Sequence, residues 1–496
     1  MRRVFLWVAV LLVSCQAVGQ IDPSPTASAS PAPASLKTEI PPTAISQATA
    51  PSNPSPDPEF KVILHPDGSL YVGDQISIEV ISLGDLDPEE KKVQIEVNGY
   101  PEEQNSAGFS EFGIGGRLQA TFNWIWDTSD LEPGEYEISF RILADGPSWT
   151  ETVNLQPGEE LPNPEPAARW ETLMLDCCEI HFISGTDFAQ DLPYLGDVIQ
   201  EHAEEAVLSM GVDFDQRIPI TILPRVLGHG GFAANEIYVS YIKENYAGND
   251  LTQVLHHEMI HLLDRRLGGD LRPSLFVEGL AVYLSHGHFK NEPLLSKAAA
   301  LREMGWYLPL AELADSFYTM QHEIGYLEGA ALVDFMVNKY GWAAFNDFYR
   351  DIHPHPSDSE ARAIDEALQE HFHISFQQLE GMFTAELKGM HINPDMRADL
   401  IQSVNYYDTV RRYQIMLDPS AYFLTAWLPA GEEMRERGIV ADYLRWPEDQ
   451  RNLEIVELLV EVDQHIRAGN YLQAEKSLWL ANQKLDLVEN EVLSGN

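Results

Sequence analysis

Between Leu275 and Leu284 the chain is apolar on nearly every face a helix could present, yet one carboxylate, Glu278, stands in the middle. A helix that is apolar all round is buried on most sides, and an isolated buried carboxylate is costly unless it is neutralised or paired. Any fold this chain adopts must neutralise Glu278 or bring a cation to it. One source is ion pairing with the nearby Arg266 or Arg272. The other lies seventeen residues upstream of Glu278, where His257-Glu258-x-x-His261 sets two histidines at i and i+4. One turn apart on one helix face, both imidazoles can reach a single divalent ion. Glu258, about 100° further round the helix, can face a water on that ion without becoming a ligand. Leu255, Met259, Leu262 and Leu263 form an apolar stripe that would bury this helix. Arg265 to Arg272, with Gly268-Gly269, suits a turn folding the second helix back on the first. Ser274, after Pro273, reads as the N-cap of that second helix. His256 is wrongly spaced from His261 to share the ion and reads as a neighbour that packs or hydrogen-bonds. Asp264, one turn past His261, is a candidate to orient an imidazole, or else a surface acid.

The chain around this motif reads as several modules, about three for 496 residues. With 44% hydrophobic and 10% aromatic residues it can bury real cores. Its 32 Lys and Arg stand against 77 Asp and Glu, a net charge of −45. That excess of acid argues against a nucleic-acid partner and serves solubility. Three cysteines, Cys15, Cys177 and Cys178, exclude a disulfide-stapled miniature scaffold. Residues 1–15 read as a signal peptide. Arg2 and Arg3 precede the apolar run Val4–Val13, which is too short to span a bilayer. Leu12-Val13-Ser14-Cys15 then resembles the bacterial lipobox. That resemblance implies cleavage before Cys15, lipidation of its thiol, and an exported chain anchored to the membrane of the cell envelope. The alternative is a plain secretory signal in which Cys15 has no role.

Residues 16–58 are Pro, Ser, Ala and Thr with few large apolar residues, an extended disordered linker. Residues 59–157 read as short alternating strands, including Gln75–Ile81, Lys92–Asn98, Leu118–Trp124 and Tyr136–Leu143, separated by turn signals such as Glu132-Pro133-Gly134. This pattern suggests an all-β, immunoglobulin-like sandwich, acting as a spacer or as a binding module. A second linker, 158–168, leads into a mixed α/β region over 169–393. Strand signals lie at Glu171–Ile183, Ile218–Leu223 and Glu236–Ile242, a helix at Leu192–Met210, and nearly continuous helix from Leu251. Cys177 and Cys178 fall in the first strand region. At least one should be buried, and a vicinal disulfide is open to them in an oxidising compartment. Residues 394–496 read as a helical region whose last two helices resemble one tetratricopeptide-type hairpin, docked on what precedes it.

His257-Glu258-x-x-His261 followed by Glu278-Gly279-Leu280-Ala281 resembles the gluzincin zinc peptidases, the clan of aminopeptidase N and thermolysin. The resemblance spans about 220 residues, roughly Arg169 to His391. It implies an α+β catalytic domain with a mixed sheet and helical bundle, one Zn²⁺ held by His257, His261 and Glu278, and Glu258 as general base. Tyr326, in Gly325-Tyr326-Leu327-Glu328-Gly329-Ala330, resembles the family's oxyanion-stabilising tyrosine, although Glu328 replaces the family's lysine. The resemblance implies a peptide or protein substrate. It does not extend to the aminopeptidase Gly-Ala-Met-Glu-Asn segment, which is Gly230-Gly231-Phe232-Ala233-Ala234-Asn235-Glu236 here, so the free-amine anchor is not implied and endo- or exopeptidase action stays open. Ile237, Tyr238, Val239 and Ser240 are expected to form an edge strand onto which an extended peptide could add. The rival expectation is a catalytically silent surface binding or sensing protein that keeps the metal scaffold.

Overall fold

The computed structural model describes residues 59–84, 91–97, 105–112, 117–143, 146–228, 230–248, 250–288, 290–418, 431–445 and 449–494. The expected export signal, Cys15 and the expected linker at 16–58 lie outside the described residues. The alternating segments that follow form two sheets. One has the order β1 (Phe60–His65), β3 (Gln75–Ser82), β7 (Arg117–Asp127), β6 (Ser110–Phe112). The other runs β2 (Leu70–Tyr71), β9 (Ser148–Gln156), β8 (Gly134–Ile142), β4 (Lys92–Val97), β5 (Ser106–Gly108). All pairings are antiparallel except β2 with β9. Ile78, Val80, Ala120 and Trp126 from the first sheet meet Ile95, Ile138, Phe140 and Trp149 from the second in one apolar core, as period-2 alternation requires.

A third sheet of five strands carries the rest of the molecule. Its order is β10 (Trp170–Met174), β11 (Cys178–Ile183), β12 (Ile218–Leu223), β14 (Ile237–Ser240), β13 (Gly231–Ala233). The inner pairs β11–β12 and β12–β14 are parallel and the outer pairs antiparallel. Helix α1 (Asp187–Met210) is the crossover between the parallel strands β11 and β12. The first strand region is therefore a hairpin, with Cys177 in its turn and Cys178 opening β11, fully buried. The two cysteines are joined as a vicinal disulfide.

The expected edge strand is corrected by this topology. Ile237, Tyr238, Val239 and Ser240 are all buried, with β12 on one side and β13 on the other. The edge is Gly231–Ala233, which turns back after Leu227 and Gly230. A three-residue strand containing glycine gives too little alternation to read from sequence.

From residue 251 the chain is helical. The helices are α2 (Leu251–Leu267), α3 (Ser274–Leu284), α4 (Leu294–Met304), α5 (Leu310–Ser316), α6 (His322–Tyr340), α7 (Trp342–Arg350), α8 (Glu360–Phe372), α9 (Phe376–Lys388) and α10 (Pro394–Met416), followed by α11 (Gly431–Glu436), α12 (Ala441–Leu444), α13 (Gln450–Arg467) and α14 (Tyr471–Ser494). Helices α10, α13 and α14 bury Tyr406, Tyr413, Leu459, Val462 and Leu478 together with Val226, Tyr246 and Ala247 from the connections around the third sheet. The C-terminal hairpin is thus docked. Among the described residues no helix is long and apolar enough to cross a membrane.

The segment 431–445 joins the sandwich to the third sheet. At Trp124 the β3–β7 register slips and φ is +45°, a left-handed value uncommon outside glycine. The irregularity turns the indole out of the sandwich core and into a cluster with Ile183, Leu223, Tyr238, Ile439 and Tyr443. Arg445 grips Asp74 of the sandwich at 2.8 Å and Glu165 of the linker. Buried Asp442 accepts from Trp124 Nε1 at 3.4 Å, and its Oδ1 finds no hydrogen-bond partner.

Burial pushes Asp442 from its ordinary 3.8 up to about 7. Because the folded value is raised, the neutral acid's contribution to stability is present below about pH 3.8 and is lost as pH rises through 7. The loss is of order 4 kcal/mol at most. Asp442→Asn should therefore raise the thermal midpoint at pH 8 and leave it nearly unchanged near pH 4. An equal effect at both pH values would contradict this account.

Candidate metal centre

Asp250 starts α2 by accepting hydrogen bonds from the Thr252 and Gln253 N–H groups. Leu255, Met259 and Leu263 are fully buried and Leu262 is half-buried. With that stripe turned inward, His257 and His261 share one face, their Nε2 atoms 2.9 Å apart. Glu278 Oε2 lies 3.3 Å from each Nε2. Ligands held tetrahedrally at about 2.1 Å lie about 3.4 Å apart, so these separations suit a shared ion. Two imidazole nitrogens and one carboxylate oxygen are also a donor set that zinc favours. The residues fit the ion that the spacing implies.

The alternative partners of Glu278 are engaged elsewhere. Arg266 pairs with Asp215, and Arg272 with Asp264 at 2.7 Å. Burial alone would push Glu278 up, but the facing His261 and His257 override it and hold the carboxyl well below its usual range. Glu258, 7% exposed, stays outside the trio. Burial pushes it up to about 7; His257 opposes that shift, Glu278 adds to it, and Arg265 and the Ala233 N–H oppose it. Strand β13 is held against Glu258 by close contact. A Cβ on Gly231 would collide with Val254 Cγ1 and meet Glu258 Oε1 at 3.1 Å. Arg265 donates to the Ala233 and Ala234 carbonyls and fixes the strand end.

Helix α3 presents Glu278 because it packs directly on the backbone of α6. A Cβ on Gly279 would stand 2.6 Å from Gly329 O. The two Glu-Gly pairs, 278–279 and 328–329, are where the helices touch. Tyr326, one turn before Ala330 on α6, is half-buried with its ring 6.4 Å from that of His257. Burial first, then Glu278, Tyr318 and Glu258, push its hydroxyl well above the usual value. Its ring is packed by His288, His322 and Phe317. Glu328 is fully buried and accepts from the Leu308 N–H at 3.1 Å, steadying the turn before α5.

Two expectations are corrected here. Asp264 orients no imidazole. Fully buried, it binds Arg272, Arg350 at 2.6 Å and Tyr349 at 3.1 Å, tying α2 to α7. Ser274 is not the N-cap but the first residue of α3, whose N-cap is Pro273. The Ser274 N–H donates to Glu360 of α8 at 3.0 Å instead. One residue at the site escaped sequence reading. Tyr318, 49% exposed, donates to Glu278 Oε1 at 2.7 Å. It lies in the short link between α5 and α6, where no periodicity marks it.

No protein-family model matches this chain, and no curated protein matches it. Among solved structures it is similar to a mutant M1 zinc metallopeptidase from Deinococcus radiodurans, at 13% identity over 68% of this chain and 94% of that one, with a TM-score of 0.29. It is also similar to native yeast LTA4 hydrolase, at 12% identity over 83% and 89%, with a TM-score of 0.33. Likenesses this remote decide neither fold nor chemistry, which stand on the geometry above.

Gly279→Ala should force α3 off α6, because the contact is backbone that cannot rotate away. An overpacking cost of about 1–3 kcal/mol is expected, read as a fall in the urea midpoint. A change under a few tenths would show that the two helices do not meet there.

Proposed function

We propose that this chain is a zinc-dependent peptidase. The observation that carries the reading is the convergence of His257, His261 and Glu278 with Glu258 buried beside them. Zinc bound by these three would supply a Lewis acid for a carbonyl oxygen and a water acidic enough to ionise near neutral pH. Glu258 takes the proton from the attacking water and returns it to the departing amine. Its exclusion from the trio leaves its carboxylate for that task. The Tyr326 hydroxyl, kept protonated by burial, can donate to the developing oxyanion, and Tyr318 holds the Glu278 carboxylate in place. An extended peptide would lie along the outer edge of Gly231–Ala233, with Phe232, 41% exposed, offering an apolar contact.

The strand orders β1-β3-β7-β6 and β9-β8-β4 correspond to the ABED and CFG sheets of an immunoglobulin-like domain, which supports that assignment for 59–157. Residues 169–393 would be the catalytic domain and 394–496 a helical support for it. The motif ending in Cys15 supports export and a lipid anchor, so that the peptidase acts outside the cell.

Glu258→Gln should retain the zinc content of the wild type while kcat/KM on a mixed fluorogenic peptide library falls by roughly 10²–10⁴-fold or more. His261→Ala should carry one equivalent of zinc less, measured by atomic absorption. Silence of the zinc-loaded wild type across the library would contradict the peptidase reading. In the source cell, Cys15→Ser should move the protein from the membrane to the soluble fraction; an unchanged membrane fraction would count against the anchor.

A further inference from the structure

A second group of metal-ligating side chains lies on the other side of α2. His202 and Glu205, at i and i+3 on α1, face His256, the residue before His257. The two Nδ1 atoms are 3.4 Å apart, and Glu205 Oε2 is 3.6 Å from His202 Nδ1 and 3.7 Å from His256 Nδ1. Among the described residues this trio and the centre above are the two groups able to hold a metal ion.

These distances are informative because they leave the trio only loose ion-pair contact and one marginal ring–ring contact. A carboxylate 3.6 Å from an imidazole nitrogen makes no hydrogen bond, so Glu205 is bonded to neither ring, and the two rings meet only at the outer limit of contact. The separations are instead close to the edge of a coordination tetrahedron with bonds of about 2.1 Å. His256 is 3% exposed and its Nε2 has no hydrogen-bond partner. Its Nδ1, aimed at the trio, is the atom through which the cost of burying it can be offset. The side-chain exposure of Glu205, 49%, leaves the outer side open for a water as fourth ligand.

We propose that His202, Glu205 and His256 form a second zinc-type site that clips α1 to α2. Two imidazoles and one carboxylate suit zinc and similar borderline ions, whereas calcium and magnesium require more oxygen ligands. The clip joins residues 54 positions apart and braces the helix that carries Glu258. It does not rest on the peptidase reading, since the two sites share no side chain.

The test is metal content of the full chain, stripped with chelator, dialysed against micromolar zinc and measured by plasma mass spectrometry. Two zinc ions per chain are expected in the wild type. His202→Ala and Glu205→Gln, both at partly exposed positions of α1, should each carry one, and His202→Ala combined with His261→Ala none. Zinc should raise the thermal midpoint of His261→Ala by several degrees and leave that of the double variant unmoved. Should the first centre hold no ion, the wild type would carry one that disappears in His202→Ala and persists in His261→Ala. That pattern would support this site while refuting the other. Unchanged zinc content in both His202→Ala and Glu205→Gln overturns the proposal.

Discussion

A carboxylate buried in an apolar helix organises this molecule. Glu278 is 7% exposed, with two imidazoles as its nearest ion-pairing partners and a tyrosine hydroxyl on its other oxygen. Taking such a charge out of water costs several kcal/mol after relaxation, and the facing imidazoles and the tyrosine hydroxyl offset part of that. A divalent ion between the three would offset the rest. The position of α3 therefore matters to ångström precision, and the neighbouring elements can be understood by how they hold it.

That precision comes from backbone contact rather than side-chain packing. Gly279 and Gly329 let α3 and α6 touch, which sets the distance between Glu278 on one helix and Tyr326 on the other. Asp264, with Arg272 and Arg350, locks the far end of α2 to the turn before α3 and to α7. Glu360 caps α3 from α8. On the opposite side Gly231 allows the edge strand to lie against Glu258. These contacts tie the trio to elements that would otherwise shift it.

The parts of this arrangement visible in the sequence are those set by local periodicity. Two histidines four residues apart on a helix must share a face, and a lone carboxylate in an apolar run must be paired or neutralised, so the trio is legible from residue type and spacing. The alternating strands of 59–157 and the parallel strand at Ile218–Leu223 are legible for the same reason. What spacing does not reveal depends on partners distant in sequence. Asp264 reads as a second partner for histidine because its true partners Tyr349 and Arg350 lie some 85 residues further along the chain. Ile237–Ser240 reads as an edge because the glycine-containing strand that covers it has no pattern. Trp124 reads as an ordinary alternating residue, but a register slip sends it to a different core.

The central claim is that three side chains from two adjacent helices converge on one ion. Anomalous diffraction at the zinc edge from crystals of the zinc-loaded protein tests it directly. A peak within about 2.1 Å of His257 Nε2, His261 Nε2 and a Glu278 carboxylate oxygen is the result this account requires. A zinc-loaded crystal with no peak there, or with Glu278 well outside bonding distance of it, would contradict the account.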